Sequence, residues 1–95
     1  MDNTDTLRLL ETGIISEDIK DLLEEVAAEI HNVWMRERIR DGWTWGEASD
    51  STKKTHSSLI PYSELPESEK NYDRRTALVT IKCLMDKGFT IQKQD

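Results

Sequence analysis

Residues 16–40 read SEDIKDLLEEVAAEIHNVWMRERIR, and this stretch decides the fold. Ile19, Leu22, Leu23, Val26, Ala27, Ile30, Val33 and Trp34 recur at steps of three and four, which places them on one stripe of a helix. Ser16 suits the N-cap, where its hydroxyl accepts a bond from an unpaired amide of the first turn. Glu17, Asp18 and Asp21 sit near the positive end of the helix dipole, and Arg36, Arg38 and Arg40 near the negative end. Asp41-Gly42 supplies the stop. The spacing therefore predicts a long amphipathic helix from Ser16 to about Arg40. Upstream, residues 1–15 are a short lead-in. Its Leu7, Leu9 and Leu10, followed by Thr12-Gly13, would dock on the body or form a helical turn.

Downstream, residues 66–87 predict a second long helix. Pro66 suits the first helical position, where no amide bond is lost, and Glu67 and Glu69 favour that end. Tyr72, Thr76, Val79 and Cys83, with Ala77, Ile81, Leu84 and Met85, make a broad apolar face. Gly88 is placed to end the helix in a left-handed conformation, with Phe89 packing back on Leu84. Residues 90–95 form a short tail, with a strand through Ile91.

Residues 41–65 show neither helical nor sustained strand periodicity. A loop this long is unusual in a compact domain and tends to be functional or disordered. Trp43, Trp45, Leu59, Ile60 and Tyr62 argue against wholesale disorder. Gly42-Trp43-Thr44-Trp45-Gly46 reads as a short extended piece. The expected fold class is mainly α: two long antiparallel helices flanking a long aromatic-rich loop, with minor short β pairing. Two antiparallel helices bury both stripes poorly alone, so the loop or a second copy of the chain is expected to cover them.

With 95 residues, the chain supports one domain and one modest core. No run approaches the roughly 18 apolar residues that span a bilayer. The acidic, polar start at Met1-Asp2-Asn3-Thr4-Asp5 does not resemble a signal peptide. Cys83 is the only cysteine, which excludes an internal disulfide and fits a cytoplasmic, reducing compartment. Net charge is -6, and it is carried by residues 1–41; residues 42–95 balance eight acids with eight bases. Phosphate neutralisation supplies most nucleic-acid affinity, so general DNA or RNA binding is disfavoured. A smaller anion could still find a local basic pocket in the C-terminal half.

The order of residues then matches a known pattern. His31-x-x-Trp34 is followed by Gly42-Trp43-x-Trp45-Gly46, Lys54-x-His56 and Leu59-x-Pro61-Tyr62. Leu65-Pro66-x-x-Glu69-Lys70, Asp73-Arg74 and Leu84-x-x-x-Gly88-Phe89 complete the series. This resembles the ryanodine receptor repeat, the RyR domain, over roughly residues 16–90. The departures are small: Trp45 stands where Tyr is common, and Ser57 where Pro often follows the histidine. The family occurs as tandem pairs in animal calcium-release channels and as short proteins in bacteria and phages; this chain resembles the latter, single-repeat type. The resemblance implies a mainly helical module, regulatory rather than catalytic, linked in the channels to phosphorylation and to nucleotide or modulator binding. It also implies that a single-copy chain would recreate the paired arrangement as a homodimer. Channel activity is not implied by the repeat alone.

Two functions of different class remain open on the residues. In the first, the module recognises a small ligand such as a purine nucleotide. Trp43, Trp45 and Tyr62 would stack on the base, at about 1–3 kcal/mol for each stacked base, and His56, Lys70 and Arg74 would supply charge for the phosphates. In the second, the tryptophans fill the core, with Trp34 on the first helix's stripe, and the module binds a protein partner. Lys70 and Arg74 stand i,i+4 on one face, as do Glu69 and Asp73; the cationic pair would meet an anion or an acid of the first helix. With two histidines and one cysteine, no metal site is expected. The simpler role for His31 or His56 is to tether the loop by a side-chain hydrogen bond. Cys83 reads as a small core residue, and residues 49–58 as a solvated, hydroxyl-rich loop. No acid–base or nucleophile constellation points to an enzyme, and no cofactor is expected.

Overall fold

The computed structural model describes residues 17–92 and residue 94. Its elements run in the order α1 (Glu17–Arg40), β1 (Thr44–Trp45), β2 (Thr55–His56), a 3-10 turn (Tyr62–Glu64) and α2 (Glu67–Asp86). The lead-in and the Ser16 cap lie outside the described residues.

Both helices end in the same way. Gly42 has φ 90°, the Gly42 amide donates to the Ile39 carbonyl, and the Trp43 amide donates to the Arg38 carbonyl. At the end of α2, Gly88 has φ 92°, with Gly88 donating to Met85 and Phe89 to Leu84. These paired bonds satisfy carbonyls that the last helical turn leaves free, and the left-handed residue they need is cheapest as glycine. The start of α2 lies one residue later than the sequence predicts. Pro66 keeps an extended ψ of 151° and serves as the cap, its carbonyl accepting from the amides of Glu69 and Lys70.

The segment between the helices is ordered by its own hydrogen bonds. Strands β1 and β2 pair in parallel, Thr44 opposite Thr55 and Trp45 opposite His56. Between them the chain folds back, and Asp50 and Thr55 exchange backbone bonds of 3.0 Å. The Asp50 carboxylate accepts from the Thr52 amide at 2.9 Å and the Thr52 hydroxyl at 2.6 Å, closing an Asx turn. Lys54 has φ 54°, and its ammonium donates to the Asp41 carbonyl at 2.9 Å, which ties the turn to the end of α1. The expected strand through Ile91 does not form; residues 90–92 have no regular structure.

The core joins the two helices through Leu23, Ala77 and Leu78, with Ile19, Ile30 and Ile81 packed against it. Ala27 is also fully buried, and small side chains at Ala27 and Ala77 let the helices approach. The buried stripe is narrower than the apolar pattern. On α1, Leu22, Val26 and Val33 are exposed. On α2 the line Tyr72–Thr76–Val79–Cys83 faces outward, contrary to the sequence reading, and Cys83 is not a core residue. The hydroxyls of Thr76 and Thr80 bond back to carbonyls four residues earlier, which lets them sit on the solvent face of the helix.

Candidate functional site

His31 is the centre of the interior beside the core. It is 4% exposed, and its Nε2 donates to the Ile60 carbonyl at 2.7 Å, so it tethers the loop as the sequence suggests. A carbonyl only accepts, so Nε2 carries the proton. The His31 ring stacks on Trp34 with centroids 5.5 Å apart, one turn along the same helix. Trp34 meets His56 edge-on at 4.9 Å. His56 is itself fixed: its Nδ1 accepts from the Ser58 amide at 3.0 Å. Arg38 lies over both Trp43 and Trp34, at 5.0 and 5.8 Å from the ring centroids. The rings of α1 and of the loop thus form one continuous aromatic wall.

Against that wall opens a cleft of about 280 Å³. Trp34, Leu65 and Tyr72 give it apolar surface, and the Tyr72 ring is 71% exposed. Its polar lining comes from His31, His56 and Ser58 on one side and from Glu69 and Asp73 on α2. The Ser58 hydroxyl donates to Glu69. Burial pushes the Asp73 carboxyl above its ordinary range; a protonated His31 ring opposes this and the charge of Glu69 adds to it. Among the described residues no lysine or arginine lines the cleft.

Of the six residues expected to bind a ligand, His56 borders the cleft. Trp43 packs beneath Arg38 and beside His56, 6.4 Å between centroids. Trp45 is 57% exposed on β1 and takes no part in the lining. Tyr62 donates from its hydroxyl to Glu24 at 3.2 Å, and its phenol is pushed up to about 12 by burial and by the Glu24 charge. Lys70 lies over the Tyr62 ring at 5.6 Å and 3.6 Å from Glu67. Arg74 holds Glu24 with two nitrogens, Nε on Oε1 and Nη2 on Oε2 at 3.1 Å, and reaches Glu67 at 2.7 Å with Nη1. These partners raise Arg74 further and hold Glu24 below the usual carboxylate range. Arg74 therefore meets an acid of the first helix, one of the two outcomes the spacing allows, whereas Lys70 meets Glu67 on its own helix.

The sequence gives no ligand role to Glu69, Tyr72 or Asp73, and sets Trp34 first on the core stripe of α1. The signals were present. His31 and Trp34 stand i,i+3, and Glu69 and Asp73 stand i,i+4, so each pair shares a helix face. What links the two pairs is the approach of α1 to α2, which no local spacing encodes. Among the described residues no three His, Cys, Asp or Glu side chains converge in a way that holds a metal ion. Nor is any described helix long and apolar enough to cross a membrane.

The RyR domain model matches residues 10–93, a span wider at both ends than the motifs alone suggest. That family is one of regulatory and interaction modules and is not a known enzyme family. With the ordered aromatic, proline and glycine motifs lying within a match that covers most of its length, this chain belongs to the RyR domain family.

Proposed function

We propose that the chain is a non-enzymatic regulatory module, a single repeat of the bacterial or phage type, that recognises a small ligand in the cleft between α1 and α2. The observation that carries this reading is an open cleft with aromatic and convergent polar walls at a place where a simple helix pair would be filled. Ligand pockets have this character, apolar and aromatic with a few placed polar groups. The volume suits one planar ring system, of which a purine base is the type. Tyr72 supplies the open ring, and Trp34 and His56 the wall behind it. Trp43 and Arg38 back that wall, and Trp45 flanks it on β1. Tyr62, Lys70 and Arg74 act by bracing the helices at the separation that keeps the cleft open. A phosphate would have to compete with Glu24 and Glu67 for Arg74, so the base contributes more than the phosphate in this reading. Action in the cytoplasm belongs to the same proposal, and an exposed free thiol at Cys83 suits a reducing compartment.

Thermal shift with adenosine, AMP and ATP tests the reading. A ligand present at 100 times its Kd stabilises the native state by about 2.7 kcal/mol. The shift is expected to vanish in Tyr72→Ala, whose unliganded Tm should hardly change because the ring is exposed. No shift with any small molecule, in a panel that extends to uncharged and cationic compounds, would sink the proposal.

A second reading is favoured by a specific observation. Leu22, Val26 and Val33 line one exposed face of α1, and Tyr72 and Val79 one exposed face of α2. Such faces suit a protein partner or a homodimer. Light scattering across a hundredfold range of concentration discriminates: a mass that doubles, and that Val26→Glu returns to the monomer value, would favour the interaction module.

A further inference from the structure

Inside the cleft the geometry carries one step further, to the charge of what binds there. His31 commits Nε2 to the Ile60 carbonyl. In the neutral ring, Nδ1 is then an acceptor. Among the described residues Nδ1 makes no hydrogen bond, and what faces it is another acceptor, Asp73 Oδ2 at 3.9 Å. That separation is too long for a direct bond. His31 is nine-tenths buried, so the arrangement leaves a placed acceptor beside a carboxylate with no donor between them. Glu69, one turn before Asp73 on the same helix, adds a second carboxylate and among the described residues takes only the Ser58 hydroxyl. The nearby cations are engaged elsewhere: Arg74 with Glu24 and Glu67, Lys70 with Glu67 and the Tyr62 ring, Arg38 over Trp43 and Trp34. Tyr72 and Trp34 add aromatic surface, which attracts a cation through the ring quadrupole.

We infer that the cleft takes a positively charged nitrogen group, a guanidinium or alkylammonium, that donates to His31 Nδ1 and Asp73 and is neutralised by Asp73 and Glu69 against the Tyr72 and Trp34 rings. The inference rests on the proposed ligand-binding reading of the same cleft and fixes the class of the group that enters it. A guanidinium suits the site better than an ammonium, since its planar fork reaches two acceptors at once and stacks on a ring. The net charge of -6 favours the approach of a cation. The group has two possible sources of one chemistry: a free small cation, or an arginine side chain presented by a partner protein.

The test is a titration of the full chain at 0.15 M salt, where loose attraction between exposed charges is screened, followed by the NMR signals of the Trp34 indole and the His31 and Tyr72 rings. The probes are n-butylguanidinium, its uncharged isostere n-butylurea, adenosine, and the peptide acetyl-Gly-Arg-Gly-amide. Butylguanidinium is expected to shift these signals saturably and butylurea to leave them in place. Asp73→Asn and Glu69→Gln, which keep shape and remove charge, are each expected to weaken binding at least tenfold, with circular dichroism confirming that they fold. A peptide that binds at least tenfold tighter than butylguanidinium assigns the group to a partner's arginine, and equal binding assigns it to a small cation; either supports the inference. Equal binding of butylurea and butylguanidinium overturns it. So does adenosine binding without butylguanidinium binding, and both outcomes leave the ligand-binding reading standing. Signals that no probe moves overturn the two together.

Discussion

At the scale of single residues, Asp73 and Glu24 show how one helix pair shifts two carboxylates in opposite directions. Asp73 is raised, chiefly by burial. A carboxyl raised in the folded state contributes stability below its ordinary value, near 3.8, and that contribution is lost as pH rises through the raised value. Glu24 is lowered, chiefly by the Arg74 hydrogen bond, so its contribution is present above its ordinary value, near 4.5, and is lost as pH falls through the lowered one. Removing the Asp73 charge should therefore raise Tm at pH 7. The gain of Asp73→Asn over the parent should shrink as the pH is taken down through the acid range, where Asp73 itself becomes neutral; calorimetry at several pH values reads it. Arg74→Ala should cost about 1 kcal/mol at pH 7, the upper range for exposed ion pairs, and less in acid, where Glu24 is protonated. Urea melts at pH 7 and at steps down through the acid range would show whether the difference between variant and parent narrows. The spacing of Arg74 with Lys70 left an anion and an acid partner as alternatives. The choice of Glu24 was not legible, because fifty residues separate the two.

At the scale of elements, local chemistry decides the ends and tertiary contact decides the faces. Gly42 and Gly88 stop their helices through positive φ, and both stops are legible because the bonds involved span only a few residues. The 3-10 turn at Tyr62–Glu64 and the parallel pairing of β1 with β2 were not, since strands of two residues carry no periodicity. Gly46 tests that pairing. A Cβ built there would lie 2.7 Å from Thr55 Cβ, closer than van der Waals contact permits. Gly46→Ala should force β1 from β2 and cost about 1–3 kcal/mol, the range for overpacking. Loss of hydrogen-exchange protection at the Thr44 and Gly46 amides, with α1 and α2 still protected, is the expected local signature. Unchanged protection at both amides would show that the strands stay paired and absorb the added methyl.

At the scale of the whole molecule the core is small. Six apolar residues are buried among those described, and Leu78 is the largest of the fully buried side chains. Leu78→Ala should cost about 2–5 kcal/mol. Domains of this length are typically stable by roughly 5–14 kcal/mol, so the loss takes a large share; denaturant melts with an unchanged slope and a lowered midpoint would register it. The two helices, their glycine stops, a loop tether at His31 or His56 and the family are legible along the chain, because each is written in hydrogen bonds, φ preferences or motifs among near neighbours. Only the tertiary structure decided which apolar line of each helix turns inward. Ala77 and Leu78 are chosen over Tyr72 and Val79 because the small alanines let α1 approach, a property of two surfaces together and not of either stripe. The same approach gives Arg74 to Glu24 and leaves His31 facing Asp73 across an open cleft. Those pairings depend on distances through space that no spacing along the chain specifies.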